Sequence, residues 1–152
     1  MSAYYEIKIT AENGSGKEIE LVGISEEGTP NAINCKIKEI HIKVDAEVQE
    51  ANSRSSKIVN SVLFTIDVDE STYKQCKDLM DWALTSKGMD VYRTVRINVQ
   101  NENHLLLRSF YFKEMFLDDY NEDYSEKGTT FTVKLLQKPG YASEFKNSTT
   151  PL

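Results

Sequence analysis

Hydrophobic and polar residues alternate along much of this chain, and the clearest alternation lies near its middle. Val62, Phe64 and Ile66 fall on one side of an extended segment, and polar residues lie between them. A period of two is typical of a strand with one buried face. The pattern therefore predicts a strand from Ile58 to Asp69.

The period changes directly after this strand and predicts a helix from Ser71 to Ser86. The apolar residues at helical spacing are Tyr73, Cys76, Met80, Ala83 and Leu84. Ser71 is predicted as the N-cap, because its hydroxyl can accept a hydrogen bond from a free amide of the first turn. Gly88 suits the left-handed conformation that ends many helices.

Six further segments alternate in the same way and are predicted strands. They are Tyr5 to Ile9, Glu18 to Ile24, Lys36 to Gln49, Asp90 to Gln100, Leu105 to Phe116 and Thr129 to Leu136. The first two are expected to form a hairpin. Ile37 is out of phase with the third strand, which predicts a bulge near Lys38. The strand beginning at Leu105 is apolar on both faces, so we expect it to be central or to be covered by another chain.

The connecting segments complete the predicted fold. Residues 25–34 are expected to form an exposed loop, and Asp118 to Gly128 an acidic loop. Several of the predicted strands are longer than the usual five or six residues, and long antiparallel strands curl into a barrel or a two-sheet sandwich. We predict a mainly β (α+β) protein: an antiparallel barrel of about seven or more strands with one flanking helix. Residues 1–138 form the domain, and residues 139–152 form an extended or flexible tail.

Composition narrows the class of protein. The chain has 152 residues, of which 39% are hydrophobic and 28% charged, as in an ordinary globular domain. A net charge of −6 disfavours general binding to nucleic acid. The sequence has neither an apolar signal region nor a segment long enough to cross a membrane. The expected location is the cytoplasm, with export by a non-classical route as an alternative.

Candidate catalytic chemistry is thin, and neither an enzyme nor a cofactor is predicted. His41 and His104 have no partner at metal-ligand spacing. Cys35 and Cys76 are too few for a disulfide framework and are expected to be free thiols. None of the common phosphate-binding, hydrolase or metalloprotease motifs is present.

The acidic loop offers the one metal hypothesis. Counted from Asp119, a calcium-binding EF-hand would need glycine at position six and glutamate at position twelve, where this chain has Tyr124 and Thr130. The match fails, which leaves Asp119 and Asp123 as a weak alternative site. An enzyme that uses a metal at this loop is therefore the weakest functional hypothesis for the chain.

The order of the predicted elements resembles that of a known family. The segment from Val62 to Thr72 (VLFTIDVDEST), the helix after it, and the strand pair 91–100 and 105–116 carry the resemblance. They are similar to the tube-forming family of the hemolysin-coregulated protein (Hcp) of type VI secretion. This family includes the tail-tube proteins of contractile phages, phage-like bacteriocins and extracellular injection systems. The resemblance covers about Tyr5 to Gln137.

The resemblance implies a structural subunit that forms hexameric rings, which stack head to tail into a hollow tube. Its implied partners are other copies of itself, sheath, baseplate or spike proteins, and secreted effectors. Which of these systems the chain serves is left open. The candidate contact residues between subunits are Glu26, Glu27, Asn31, Ser53, Arg54, Leu105, Leu107 and Tyr111. The alternative hypothesis is a monomeric barrel that encloses a small apolar ligand or a peptide.

Overall fold

The computed structural model describes residues 4–11, 18–22, 36–46, 58–68, 72–85, 91–101, 103 and 105–152. The strands in these residues are β1 (Tyr4–Ala11), β2 (Ile19–Val22), β3 (Lys36–Ala46), β4 (Ile58–Val68), β5 (Arg93–Gln100), β6 (Leu106–Ser125), β7 (Gly128–Gln137) and β8 (Phe145–Ser148). Helix α1 (Tyr73–Leu84) lies between β4 and β5. The predicted mainly β fold with a flanking helix is confirmed.

The strands form one curled antiparallel sheet. Its order is β2-β1-β5-β6-β7-β4-β3, and β8 pairs with β6 beside this path. The first two strands pair as the predicted hairpin. The end strands β2 and β3 contact each other, so the sheet curls round towards itself.

The core lies inside this curl and is filled by large side chains. Val62, Phe64 and Ile66 are fully buried, as their alternation predicted. Phe112 and Phe131 reach the same core from β6 and β7. The predicted bulge in β3 is also confirmed, because the pairing with β4 shifts register between Ile37 and Glu39. That shift turns Ile37 into the core.

Helix α1 packs against the sheet through a face that overlaps the predicted one only at Cys76 and Ala83. Its buried residues are Gln75, Cys76, Leu79 and Trp82. Tyr73, Met80 and Leu84, which were predicted to be buried, are exposed. The helix has apolar residues on more than half of its circumference, and contacts with the sheet decide which of them are buried. The Trp82 indole, which donates a hydrogen bond of 2.9 Å to the carbonyl of Val91, fixes this rotation.

Both predicted helix ends are wrong. The N-cap is Thr72 rather than Ser71, and no side-chain hydrogen bond caps the helix there. The helix ends at Thr85, whose backbone is extended and whose amide donates to the carbonyl of Trp82. Gly88 and Ser71 lie outside the described residues. No helix in the described part of the chain is long and apolar enough to span a membrane.

The predicted acidic loop from Asp118 to Gly128 is wrong, because most of it is strand. β6 continues to Ser125 and pairs with β7 down to Ser125 and Gly128. The tight turn is only Glu126 and Lys127. Gly128 has a φ of 129°, a conformation that L side chains rarely adopt, which explains why glycine ends this turn.

The inward face of β6 changes phase halfway along the strand. Phe112 and Met115 are both fully buried although they are an odd number of residues apart. Between them Glu114 has a positive φ of 55°, and the pairing with β5 shifts register. This is a bulge. Phe116 is four residues from Phe112, a spacing that would put both on one face of a regular strand, and the bulge moves Phe116 to the other face.

The C-terminal segment contains more structure than the sequence pattern predicted. A short 3-10 turn (Ala142–Glu144) leads into β8, which pairs with the first half of β6. The Phe145 ring lies 4.6 Å from the Phe112 ring, centroid to centroid. β8 is extended and docks on β6, within the residues 139–152 that were predicted as an extended or flexible tail. The domain boundary at residue 138 remains a prediction.

Candidate assembly surfaces

Four side chains line up across the outer face of the sheet. Lys8 of β1 pairs with Arg96 of β5, Arg96 with Tyr111 of β6, and Tyr111 with Lys146 of β8. We call Lys8, Arg96, Tyr111 and Lys146 the basic row. Residues opposite one another on adjacent strands share a face, so this row places Arg96 and Lys146 on either side of one aromatic ring, with Lys8 beyond Arg96.

Tyr111, a predicted contact residue, lies half-buried within this row. The Arg96 guanidinium carbon lies 4.8 Å from the centre of its ring, and the Lys146 ammonium 5.8 Å. Arg96 also donates a hydrogen bond of 2.8 Å to the main-chain carbonyl of Leu152. These contacts join the C-terminal segment to the sheet. Tyr111 is therefore engaged by its own chain.

The other two described contact candidates are open to solvent. Leu105 and Leu107, at the start of β6, are 63% and 45% exposed. We call these two residues the leucine patch. The amide of Leu105 donates to the side chain of Asn101, which fixes the turn before β6. Glu26, Glu27, Asn31, Ser53 and Arg54 lie outside the described residues, so their role stays a prediction.

A second apolar surface was missed by the sequence interpretation. Tyr73, Met80 and Leu84 lie on one exposed side of α1, and Tyr124 projects from the far end of β6. Tyr73 donates a 3.5 Å hydrogen bond to Thr129, the β7 residue paired with Tyr124, so the two tyrosines adjoin. We call Tyr73, Met80, Leu84 and Tyr124 the helix patch. The sequence showed the apolar residues at helical spacing, but they were predicted to lie on the buried face of the helix.

Asp119 and Asp123, the weak alternative metal site, lie on a paired strand rather than in the predicted loop. Asp123 accepts a 2.7 Å hydrogen bond from the Asn121 amide, and Asp119 is paired in register with Lys134. Within the described ranges, no group of three or more His, Cys, Asp or Glu side chains is placed to hold a metal ion. His41 lies beside Glu39 at 3.3 Å on the surface, and His104 lies outside the described residues.

Cys76 is buried as a free thiol, as predicted, in contact with β6. The hydroxyl of Tyr120 donates to the main-chain carbonyl of Cys76 at 3.2 Å. Burial raises the pKa of the Cys76 thiol to about 11, so it is protonated at neutral pH. Burial likewise raises the pKa of Tyr120. A protonated, buried thiol is a poor nucleophile, so this cluster supports packing rather than catalysis. Cys35 lies outside the described residues.

Two shallow cavities lie on the outer surface of the sheet. The first, of about 250 Å³, is lined by Lys43, Asp45, Val59, Ser61, Lys134 and Leu136. The second, of about 320 Å³, adjoins the β6–β7 turn, where Lys38 pairs with Asp67 at 3.0 Å. Both are open to solvent, and each lining mixes charged and polar side chains with apolar ones. Neither is the enclosed cavity typical of a small-molecule site.

Known proteins resemble this chain in structure but not detectably in sequence. No family model matches the chain, and no curated protein matches it. Hcp1 of Flavobacterium johnsoniae superposes with a TM-score of 0.54 and 13% identity, covering 97% of this chain and 96% of that protein. Hcp1 of the E. coli EAEC 042 pathovar superposes with a TM-score of 0.56 and 10% identity, covering 97% of this chain and 99% of that protein.

A chain of the six-fold symmetrised anti-feeding prophage baseplate is also similar. It gives a TM-score of 0.51 at 12% identity, covering 97% of this chain and 94% of the other. All three superpositions extend over nearly the whole of both chains. The predicted resemblance to the Hcp and tail-tube family is thus confirmed at the level of the fold.

Proposed function

We propose that this chain is a structural subunit that assembles into hexameric rings, which stack head to tail as the inner tube of a contractile injection or secretion apparatus. The observation that carries the proposal is the shared fold with Hcp proteins and a baseplate chain over 97% of this chain. The six-fold symmetry named for that baseplate motivates the ring size.

The surfaces of the subunit support a role in assembly. The helix patch and the leucine patch expose large apolar side chains that the described part of the chain leaves uncovered. Clustered apolar side chains at a protein surface commonly mark interaction sites. A closed ring of identical subunits requires two different patches that fit each other, and this chain presents two.

The charged outer face of the sheet suits a water-filled tube. Arg96 of the basic row alternates along β5 with the core residues Val95 and Ile97, as in a sheet that is buried on one side and wet on the other. Lys8 is balanced by an ion pair with Glu18 at 3.4 Å. Such a charged and hydrated face can line the lumen of a tube without adhering to the molecules inside it.

The proposed protein acts by assembly and carries out no reaction. Its partners are further copies of itself, sheath, baseplate or spike proteins, and effectors carried by the tube. Export as part of the apparatus requires no classical signal. The same proposal serves a secretion system, a phage tail and a bacteriocin.

The packed interior weighs against the barrel that binds an apolar ligand. Trp82, Phe64, Phe112 and Phe131 are among the large side chains that lie fully buried inside the curl. A small barrel filled by its own side chains leaves little space for a ligand. No observation in the described residues favours this second function.

Imaging tests the proposal directly. The purified chain is examined by negative-stain electron microscopy and sedimentation velocity over a range of concentrations. We expect six-fold rings with an open centre that stack into tubes as the concentration rises. A monomer at every concentration would contradict the proposal.

A further inference from the structure

The helix patch is an apolar stripe with a defined geometry. At roughly 100° per residue, Tyr73, Met80 and Leu84 fall within about 40° of one another around α1. They lie on the side opposite to Leu79 and Trp82, which enter the core. Leu84 is 75% exposed and Tyr124, beside the start of the helix, is 64% exposed. The described chain buries one face of its helix and leaves a second apolar face open.

The leucine patch lies at the other end of the same strand. Leu105 and Leu107 flank the first residue of β6, whereas Tyr124 is the next-to-last residue of that strand. β6 is twenty residues long and links the two halves of the sheet. One subunit therefore exposes two unlike apolar patches on well-separated parts of its surface.

The charges around the two patches are of opposite sign. Asp78 and Asp81 belong to the same helix as the patch, and desolvation raises the pKa of the Tyr124 hydroxyl, to which the nearby Glu122 adds. Lys77 pairs with Asp81 at 2.8 Å, and Lys74 on the same helix offsets Asp78, so Glu122 leaves an excess of one negative charge. Next to the leucine patch Arg108 is exposed, its guanidinium carbon 4.8 Å from the ring centre of Phe110.

We propose that the helix patch of one copy docks on the leucine patch of the next copy, and that this is the lateral contact within a ring. The inference rests on the proposed function and assigns the surfaces that carry it. Two unlike patches with opposite flanking charges fit a head-to-tail contact. A symmetric contact of two helix patches would instead bring together two surfaces with the same excess of negative charge.

Three double variants test this assignment. Met80→Lys with Leu84→Lys alters the helix patch, and Leu105→Lys with Leu107→Lys alters the leucine patch. Val44→Lys with Leu63→Lys is the matched control, because it adds the same charge at two exposed apolar positions outside both patches. Far-ultraviolet circular dichroism and thermal unfolding establish that each variant is folded.

Sedimentation velocity and negative-stain imaging then give the outcome. We expect each patch variant alone to lose rings, with self-association weakened at least about tenfold, while the control forms rings like the unaltered chain. An equimolar mixture of the two patch variants should form a one-to-one dimer, because each retains one intact patch and the pair cannot grow further.

The failures of the two proposals are distinguishable. If the unaltered chain forms rings and the patch variants do so equally well, the assignment of surfaces is overturned and the proposed function stands. If either patch variant alone forms a dimer, or the control loses rings as well, the head-to-tail assignment is also overturned. If the unaltered chain forms no rings, the proposed function fails and this inference fails with it.

Discussion

Arg96 of β5 stacks on Tyr111 of β6, with the guanidinium carbon 4.8 Å from the centre of the ring. The same arginine holds the carbonyl of Leu152, and Lys146 of β8 approaches the ring at 5.8 Å. A single aromatic side chain thus lies between two cations from different strands. The Tyr111 ring therefore helps to hold β8 against the sheet.

Replacement of Tyr111 by alanine tests this coupling. Each partly exposed cation–π contact contributes about 0.5–1 kcal/mol, so we expect unfolding to become easier by about 1–2 kcal/mol. Amide hydrogen exchange over 145–152 should become faster, measured by mass spectrometry. Tyr141→Ala is the control, since that exposed ring contacts Lys138 rather than β8. Unchanged exchange in β8 of the Tyr111 variant would contradict the role given to this ring.

Gln137 is a buried amide that ties three parts of the sheet together. Its Oε1 accepts a 2.7 Å hydrogen bond from Asn60, and its Nε2 donates to the carbonyl of Lys113 at 2.8 Å, in the β6 bulge. Its Nε2 also lies 3.4 Å from the carbonyl of Glu144. The side chain therefore connects β4 and β7 with the bulge and the turn before β8.

Replacement of Gln137 by leucine leaves the Asn60 amide and the Lys113 carbonyl without this partner. Unpaired buried polar groups cost about 1–3 kcal/mol each, so we expect urea denaturation to show a loss of about 2–4 kcal/mol. Thr132→Val, on the same strand, removes only a weak, partly buried contact of 3.4 Å with Thr65 and should cost well under half as much. Equal losses in the two variants would be inconsistent with this account of Gln137.

Adjacent residues of α1 test the rotation of the helix. Leu79 is fully buried and Met80 is 39% exposed. We expect Leu79→Ala to lower the free energy of unfolding by about 2–5 kcal/mol, as in a packed core, and Met80→Ala to change it by about 0.5 kcal/mol or less. Chemical denaturation of both variants provides the measurement. A larger loss for Met80→Ala would restore the helix face first predicted from the sequence.

The buried thiol of Cys76 predicts that the free energy of unfolding falls at alkaline pH. Burial raises the pKa of its thiol from 9.0 to about 11. Below pH 9 the thiol is protonated in both states. Between pH 9 and 11 the unfolded chain loses the proton while the folded chain keeps it, so the free energy of unfolding falls as pH rises. The loss attributable to this thiol is on the order of 2 kcal/mol.

The variant Cys76→Ala tests this contribution, because it removes the thiol while the other groups that titrate at high pH are present in both proteins. We expect a shallower decline of stability between pH 9 and 11 in the variant, measured by urea denaturation at several pH values. Parallel curves for the two proteins would show that Cys76 does not titrate as its burial requires.

The strands with one buried face were predictable from sequence, and β4 illustrates why. Val62, Phe64 and Ile66 alternate with polar residues, and a period of two leaves only one way to bury them. The Ile37 bulge was predictable for the same reason. The predicted fold class followed from the number of such strands around the helix.

Features that depend on tertiary contacts were not predictable. The phase change at Glu114 is accompanied by a hydrogen bond from Lys138, which is distant in sequence. The acidic stretch after Asp118 forms a strand because Phe131 and Val133 of β7 align it. Leu79 and Met80 are equally apolar by sequence, and packing alone separates them. Of the contact candidates, Leu105 and Leu107 are exposed, whereas the helix patch emerges only once the helix rotation is known.

The central claim is that this chain functions by assembling around a six-fold axis, and its most direct test is the mass and symmetry of the purified protein in solution. Cryo-electron microscopy with mass photometry should show rings of six times the 17.4 kDa chain, with an open centre and axial stacking. A species of one chain mass at the highest concentration reached, with no ring in the images, would contradict the account.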